Sequence, residues 1–176
     1  ITGEHDWNED SRRPMYLPPH QFREISRVQT RAHRAYGEPQ AIAPLPQVRA
    51  VLDYALSVTA GENIFLGAPL YAYDWPLPYE KGRTRAETFS SQAAVARARL
   101  VGAEIEFDET AHSPCYHYFD KMRREHVVWF EDARSLRAKI ALAAEKGLQG
   151  IGFWQAGREL TQAWPLLDAL VTLETL

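Results

Sequence analysis

The stretch "NIFLGAPLYAYDW", residues 63–75, decides the fold of this chain. Residues 64–70 form a short apolar run, typical of a strand that is buried on both faces of a parallel sheet. The residues that follow suit a binding site, because they combine aromatic rings with a carboxylate: Tyr71, Tyr73, Asp74 and Trp75. The stretch therefore predicts a buried strand whose carboxyl end carries a group of rings and one acid.

An amphipathic helix is predicted directly before this strand. Between residues 48 and 56 the apolar side chains recur on one helical face, with prolines before the helix and Gly61 after it. The same order returns later: a helix after Asp132 that ends at Gly147, the apolar strand "LQGIGFW" (148–154), and a last helix in "TQAWPLLDALVTL" (161–173). Helices that alternate with doubly buried strands predict an α/β fold with a parallel sheet, either doubly wound or closed into a barrel.

A small α+β unit interrupts this alternation. "SSQAAVARARLVG" (90–102) is helix-like, and "AEIEFDE" (103–109), "CYHYFD" (115–120) and "EHVVWFE" (125–131) are short β-prone runs. They predict a small antiparallel sheet. The expected organisation is a poorly readable N-terminal segment (1–40), a helix and strand of the main sheet (41–82), the α+β insertion (83–130), and a final helix, strand and helix (131–176).

Composition excludes several classes of partner. A chain of 176 residues with 45% hydrophobic and 24% charged residues can build one sizeable core. Its formal charge of −3 gives no electrostatic footprint for nucleic acid or for an anionic membrane. The sequence shows neither a long apolar run nor the features of a signal peptide, so export, if any, is expected to be encoded elsewhere.

Metal and cofactor chemistry are not expected either. The single cysteine, Cys115, excludes an internal disulfide, and its aromatic surroundings favour a buried thiol over a nucleophile. The six histidines lack the spacing of a metal site. No glycine-rich phosphate loop and no G-x-S-x-G motif occurs in the sequence. The sequence therefore predicts no metal and no cofactor.

Side chains that follow the two predicted main-sheet strands suggest a sugar site. The carboxyl ends of parallel strands meet at one edge, so Trp154 and Gln155 are expected beside Tyr71, Tyr73, Asp74 and Trp75. Sugars stack their C–H faces on rings, and their hydroxyls seek carboxylates and amides. The alternative is that rings only fill space, which is favoured for Tyr79 and Trp164. Helix capping is likewise favoured for Asp132, and helix-terminus electrostatics for Glu131.

Five stretches, in order, resemble one enzyme family. They are "APLPQVRAVLDYA" (43–55), "IFLGAPLYAYDWPLPY" (64–79), "GAEIEFDETAHSPCYHYFD" (102–120), "HVVWFEDARSLRAK" (126–139) and "GLQGIGFWQAG" (147–157). Together they resemble the C-terminal half of a glycoside hydrolase family 18 barrel, in its bacterial spore-cortex or cell-wall branch, often joined to LysM modules. The resemblance implies the seventh and eighth strands of a (β/α)8 TIM-type barrel, with the α+β insertion between the seventh strand and its helix.

The same resemblance implies an activity but no catalytic residue in this chain. Family 18 enzymes cleave β-linked N-acetylglucosamine polymers: the substrate's N-acetyl oxygen attacks the anomeric carbon while one glutamic acid protonates the leaving oxygen. That glutamate ends a D-x-x-D-x-D-x-E motif, which this sequence lacks, and "VQTRAHRAYGEPQ" (28–40) stands where the family shows M-x-Y-[DE]-W. By position, Trp154 resembles the tryptophan beneath the sugar, and Tyr71, Tyr73 and Asp74 resemble wall residues.

The resemblance therefore predicts the sugar-binding C-terminal portion of a glycosidase whose catalytic acid lies outside the chain. The expected partner is an N-acetylglucosamine-containing glycan, of peptidoglycan or chitin type, at the cell wall, in the spore coat or cortex, or outside the cell. A non-catalytic carbohydrate-binding module and a self-associating module remain alternatives. Strands cut from a barrel leave open edges and an apolar face, so we expect a missing N-terminal half barrel, self-association through the edges, or cover by residues 1–40.

Overall fold

The computed structural model describes residues 37–154 and 160–170, so residues 1–36 and Gln155 lie outside the described residues. The helices are α1 (Leu45–Leu56), α2 (Ser91–Val101), α3 (Ala133–Glu145) and α4 (Ala163–Leu170), and a 3-10 turn spans Gly61–Asn63. The strands are β1 (Phe65–Pro69), β2 (Tyr71–Pro76), β3 (Glu87–Ser90), β4 (Glu106–Asp108), β5 (Ser113–Phe119), β6 (Glu125–Trp129) and β7 (Gly150–Trp154).

Strands β1 and β7 form a parallel sheet that runs from the pair Phe65 and Gly150 to the pair Pro69 and Trp154. Helices α1 and α3 bury their apolar sides against one face of it. This core contains the side chains of Val51, Leu52, Ala55, Ile64, Leu66, Leu142 and Ala143. Parallel strands joined through a helix are the unit from which α/β sheets are built. The predicted α/β order of helix, strand, insertion, helix, strand and helix is confirmed.

The remaining strands form an antiparallel sheet in the order β3-β2-β6-β5-β4. Helix α2 packs on its back face, where Ala94 and Ala98 meet Ala72, Tyr116 and Val128. The predicted start of the α+β insertion was residue 83, whereas β2 of the antiparallel sheet already begins at Tyr71. The reason is local: after Pro69 the continuous apolar run gives way to the alternation Tyr-Ala-Tyr-Asp-Trp, which is the period of a strand with two different faces.

None of the helices within residues 37–154 and 160–170 has both the length and the apolar character needed to cross a membrane.

Asp132 caps helix α3, as the sequence predicts. Its carboxylate accepts hydrogen bonds from the backbone N–H groups of Arg134 at 2.9 Å and Ser135 at 3.0 Å. The Ser135 hydroxyl in return accepts one from the backbone N–H of Asp132 at 2.9 Å, which completes a capping box. These bonds satisfy amides that a helix cannot pair by itself.

We expect Asp132→Ala to lower the free energy of unfolding by about 1 kcal/mol, because the first turn of α3 loses its acceptor. Urea titration followed by far-ultraviolet circular dichroism measures this change. Asp132→Asn is the matched control, since an amide oxygen also caps a helix and should retain most of the stability. Equal stability of Asp132→Ala and the wild type would show that the cap contributes nothing.

Candidate functional site

The front face of strand β2 carries a row of aromatic rings. Because side chains alternate along a strand, Tyr71, Tyr73 and Trp75 share this face. The ring centroids of Tyr71 and Tyr73 are 5.3 Å apart, and those of Tyr73 and Trp75 are 5.1 Å apart. Edge-on and tilted contacts at this distance are favourable for aromatic pairs. The three rings therefore pack against one another as one group.

Trp154 reaches this group from the end of β7. The backbone N–H of Leu70 donates to the Trp154 carbonyl oxygen at 2.6 Å, so the parallel sheet passes into β2 beside this residue. Trp129 comes from β6, where it lies opposite Tyr73. We call the combined surface the aromatic face; its residues are Tyr71, Tyr73, Trp75, Tyr79, Trp129 and Trp154. The structure thus brings Trp154 together with the three rings that the sequence placed beside it.

Exposure divides the aromatic face into a base and a rim. Tyr71, Tyr73 and Trp75 are only 4%, 7% and 2% exposed, and the Trp75 indole N–H donates to the Gly37 carbonyl oxygen at 3.1 Å. Trp154, Trp129 and Tyr79 are half-buried. The rings that can meet a ligand are thus those of the rim, supported by the buried rings of β2.

Trp129 is the residue of this face that the sequence analysis did not single out. Its place follows from the pairing of β6 with β2, which joins positions more than fifty residues apart. The available signal was the period-two alternation of "EHVVWFE", which puts Trp129 on the same side as Val127, itself part of the cluster behind the face.

Asp74 points away from the aromatic face. The sequence placed its carboxylate in the wall of the same cleft, but strand alternation turns it to the back of β2, where it is 2% exposed. Oδ1 lies 2.7 Å from Nδ1 of His126. Oδ2 accepts hydrogen bonds from the Tyr118 hydroxyl at 2.7 Å and the Arg97 guanidinium at 2.5 Å. The carboxylate is thus occupied by protein partners and does not face a ligand.

Arg97 is the cation that joins two carboxylates behind β2, those of Asp74 and Glu87. The guanidinium also binds the Glu87 carboxylate at 2.8 and 3.1 Å, and these hydrogen bonds lower the pKa of Glu87. The carboxylates of Glu87 and Asp74 raise the pKa of Arg97, although burial acts in the opposite direction. Burial, and then the bond to Asp74, raise the pKa of the Tyr118 hydroxyl. At neutral pH Glu87 is therefore ionised, Arg97 charged and Tyr118 protonated.

Two further reactive groups, Cys115 and Glu131, are buried. Cys115 on β5 lies opposite Trp129 of β6, beside the aromatic face. Burial raises the pKa of the Cys115 thiol to about 11, with a smaller contribution from Glu106 and Asp108, so little nucleophilic thiolate exists at neutral pH. Glu131 is fully buried, and its carboxylate pairs with Lys139 Nζ at 2.8 and 3.0 Å. Burial raises the pKa of Glu131 in spite of the lysine. In the part of the chain that the structure describes, no group of three or more potential ligands could hold a metal ion.

The family model for glycosyl hydrolases family 18 matches residues 28–159. The chain belongs to this family. The family 18 prediction made from the sequence is therefore confirmed, as is the α/β fold of the (β/α)8 TIM-barrel type, of which the chain forms a C-terminal part.

Two proteins of Bacillus subtilis are similar to most of this chain. The chain is 45% identical over 132 residues to the cortical fragment-lytic enzyme of Bacillus subtilis, a match that covers 75% of this chain and 31% of that protein. It is 39% identical over 141 residues to the putative sporulation-specific glycosylase YdhD of Bacillus subtilis, covering 80% and 33%.

Solved structures give the same result. The spore cortex-lytic enzyme SleL of Bacillus megaterium superposes with a TM-score of 0.77 at 38% identity, over 80% of this chain and 33% of that one. The SleL structure from Bacillus cereus has the same TM-score at 42% identity. The chain thus spans about a third of the length of the relatives it matches.

Proposed function

We propose that this chain is the sugar-binding C-terminal portion of a family 18 glycosidase that hydrolyses β-linked N-acetylglucosamine glycans of peptidoglycan or chitin type. The observation that carries the proposal is the aromatic face, with Trp154 half-buried at the carboxyl end of β7. The names of the relatives favour cortex peptidoglycan as the glycan, and hence the spore cortex or cell wall as the location.

Ring stacking is the interaction that the aromatic face offers to a glycan. The C–H faces of a pyranose bury apolar area against a flat ring, and the surrounding hydroxyls remain free to hydrogen-bond. In this proposal Trp154 and Trp129 meet the sugar, while Tyr71, Tyr73 and Trp75 hold them from behind. Gln155, which follows Trp154 in the sequence, is the proposed amide partner for a hydroxyl.

Hydrolysis then requires a group that this chain does not supply. In the substrate-assisted reaction, the N-acetyl oxygen of the bound sugar attacks its own anomeric carbon as a glutamic acid protonates the leaving oxygen. We propose that this acid comes from the D-x-x-D-x-D-x-E motif of a preceding barrel segment, because the motif is absent from the sequence. The role of the residues described here is to bind the sugar and to hold it in the reactive orientation.

The face of the β1–β7 sheet that points away from the helices is the proposed contact with that segment. Phe65 on this face is 56% exposed. Gly152 borders open space: no heavy atom lies within 4 Å of the position that a Cβ atom would take. In a closed barrel such positions are filled by side chains of the other strands. Self-association through the same face is the second candidate and would favour a non-catalytic carbohydrate-binding or assembly module.

Titration with an N-acetylglucosamine tetramer tests the proposed function. Isothermal titration calorimetry should show saturable binding to the wild type, and Trp154→Ala should weaken it by at least about tenfold, because a central aromatic contact is lost. Trp164→Ala is the matched control: Trp164 is 70% exposed on α4 and lies outside the aromatic face, so its loss should leave the affinity unchanged. Absence of binding by the wild type would refute the proposal.

A further inference from the structure

The Asp74 network ties three separate elements to the back of strand β2; its residues are Asp74, Arg97, Tyr118 and His126. The Asp74 side chain is 1% exposed. His126 lies on β6, Tyr118 on β5 and Arg97 on α2, and all three bind the same carboxylate within 2.7 Å. One buried side chain thus connects β2 to two other strands and to the helix that covers them.

These bonds reach beyond what backbone pairing provides. Strand β2 pairs with β3 and β6, whereas β5 lies one strand further away and α2 lies on top of the sheet. The Tyr118 and His126 rings stack with centroids 4.8 Å apart at 29°, which fixes the two donors relative to each other. Through Asp74 alone, the network therefore fixes the position of β2 within the sheet and its distance from helix α2.

Asp74 stands between two of the three residues that form the base of the aromatic face. Tyr73 and Trp75 flank it, and their side chains emerge from the opposite side of the strand. A movement of the backbone at Asp74 must move both rings, together with Trp129, which lies opposite Tyr73. The three contacts of the Asp74 carboxylate favour one arrangement of the strand, whereas apolar packing tolerates small slides. Among the described residues, Nε2 of His126 has no hydrogen-bond partner and lies 3.5 Å from Asp120 Oδ2.

We infer that Asp74 is a positioning residue for sugar binding: its carboxylate, held by Arg97, Tyr118 and His126, fixes β2 so that the rings in front are placed for the glycan. Asp74 does not touch the sugar itself. The inference rests on the proposed function and extends it to a second layer of residues on the opposite face of the sheet.

Two variants separate positioning from a purely structural role. Asp74→Asn keeps the shape of the side chain but removes the charge that Arg97 balances, and Tyr118→Phe deletes one hydrogen bond with little change in volume. Asp132→Ala is the matched control, because it weakens the chain at a helix cap that lies outside the Asp74 network. Each protein is titrated with the N-acetylglucosamine tetramer, its melting temperature is measured, and its near-ultraviolet circular dichroism spectrum is recorded.

We expect Asp74→Asn to weaken the affinity by about tenfold and Tyr118→Phe by about threefold. Both variants should also change the tryptophan bands of the near-ultraviolet signal, which report the packing of Trp75, Trp129 and Trp154 and not the tyrosine that Tyr118→Phe removes. Asp132→Ala should lower the melting temperature while leaving affinity and spectrum as in the wild type. If Asp132→Ala lowers the affinity for the tetramer along with the melting temperature, the inference is contradicted, because binding would then follow stability alone.

The failure of this inference is distinguishable from failure of the proposed function. If the wild type binds the tetramer and both variants bind equally well, the inference is overturned and the proposed function stands. If the wild type does not bind, the proposed function is overturned, and unchanged near-ultraviolet spectra in the variants overturn the inference as well. If Asp74→Asn does not fold, Tyr118→Phe decides between these results.

Discussion

Replacing Glu131 with glutamine is expected to lower the free energy of unfolding by about 3–5 kcal/mol, because it leaves the partner lysine as an uncompensated buried charge. The side chains of Glu131 and Lys139 are both fully buried, and their charged atoms are 2.8 and 3.0 Å apart. The pair joins the end of β6 to helix α3, where the chain returns from the insertion to the parallel sheet. Urea titration monitored by tryptophan fluorescence measures the loss.

A double variant provides the control for this effect. Glu131→Leu combined with Lys139→Met removes both charges and keeps the volume apolar, so most of the lost stability should return. Recovery in the double variant shows that the penalty arises from the unpaired charge and not from the volume of the glutamate. If Glu131→Gln lowers the free energy of unfolding by less than about 1 kcal/mol, the pair behaves as a solvent-exposed ion pair and the expectation is contradicted.

The second large effect concerns catalysis. The chain alone should release no reducing sugar from N-acetylglucosamine oligomers or cortex peptidoglycan, because the proposed catalytic acid ends a D-x-x-D-x-D-x-E motif that does not occur in its sequence. Joining it to a family 18 segment with the first six barrel strands and the D-x-x-D-x-D-x-E motif should raise the rate by at least about 1,000-fold. Release of reducing ends over time measures both.

The matched control is the same joined protein with the last glutamate of the motif replaced by glutamine. It should bind the glycan and remain inactive. Analytical ultracentrifugation of the chain alone completes the test: dimers that dissociate when the barrel segment is supplied agree with a shared contact face. Turnover by the chain alone would contradict the account, since it would require an acid within these 176 residues.

Local patterns were sufficient to predict much of the fold. The helical period of residues 48–56 gave α1, and the cap at Asp132 gave the start of α3. The apolar runs before Pro69 and Trp154 gave the two parallel strands, because a strand buried on both faces lacks alternation. These features depend on neighbours within one element, and this is why sequence alone reveals them.

Features that depend on strand pairing were harder to predict. Asp74 binds partners 23, 44 and 52 residues away in the sequence, and no local pattern announces such contacts. Its direction, in contrast, follows from local alternation, because Tyr73 and Trp75 flank it in β2 and successive side chains of a strand point to opposite faces. Trp129 was missed because its place in the aromatic face depends on the pairing of β6 with β2. Gln155 and residues 1–36 lie outside the described residues, so the expectations placed on them remain predictions.

Nuclear magnetic resonance of the tryptophan indole N–H groups during titration with an N-acetylglucosamine tetramer tests the central claim most directly, because it reports each tryptophan separately. We predict saturable shifts for Trp154 and Trp129, at the rim of the aromatic face, and none for Trp164, which is more exposed but lies on α4. Shifts confined to Trp164, or no shift at any indole at saturating sugar, would contradict a sugar-binding role for this face.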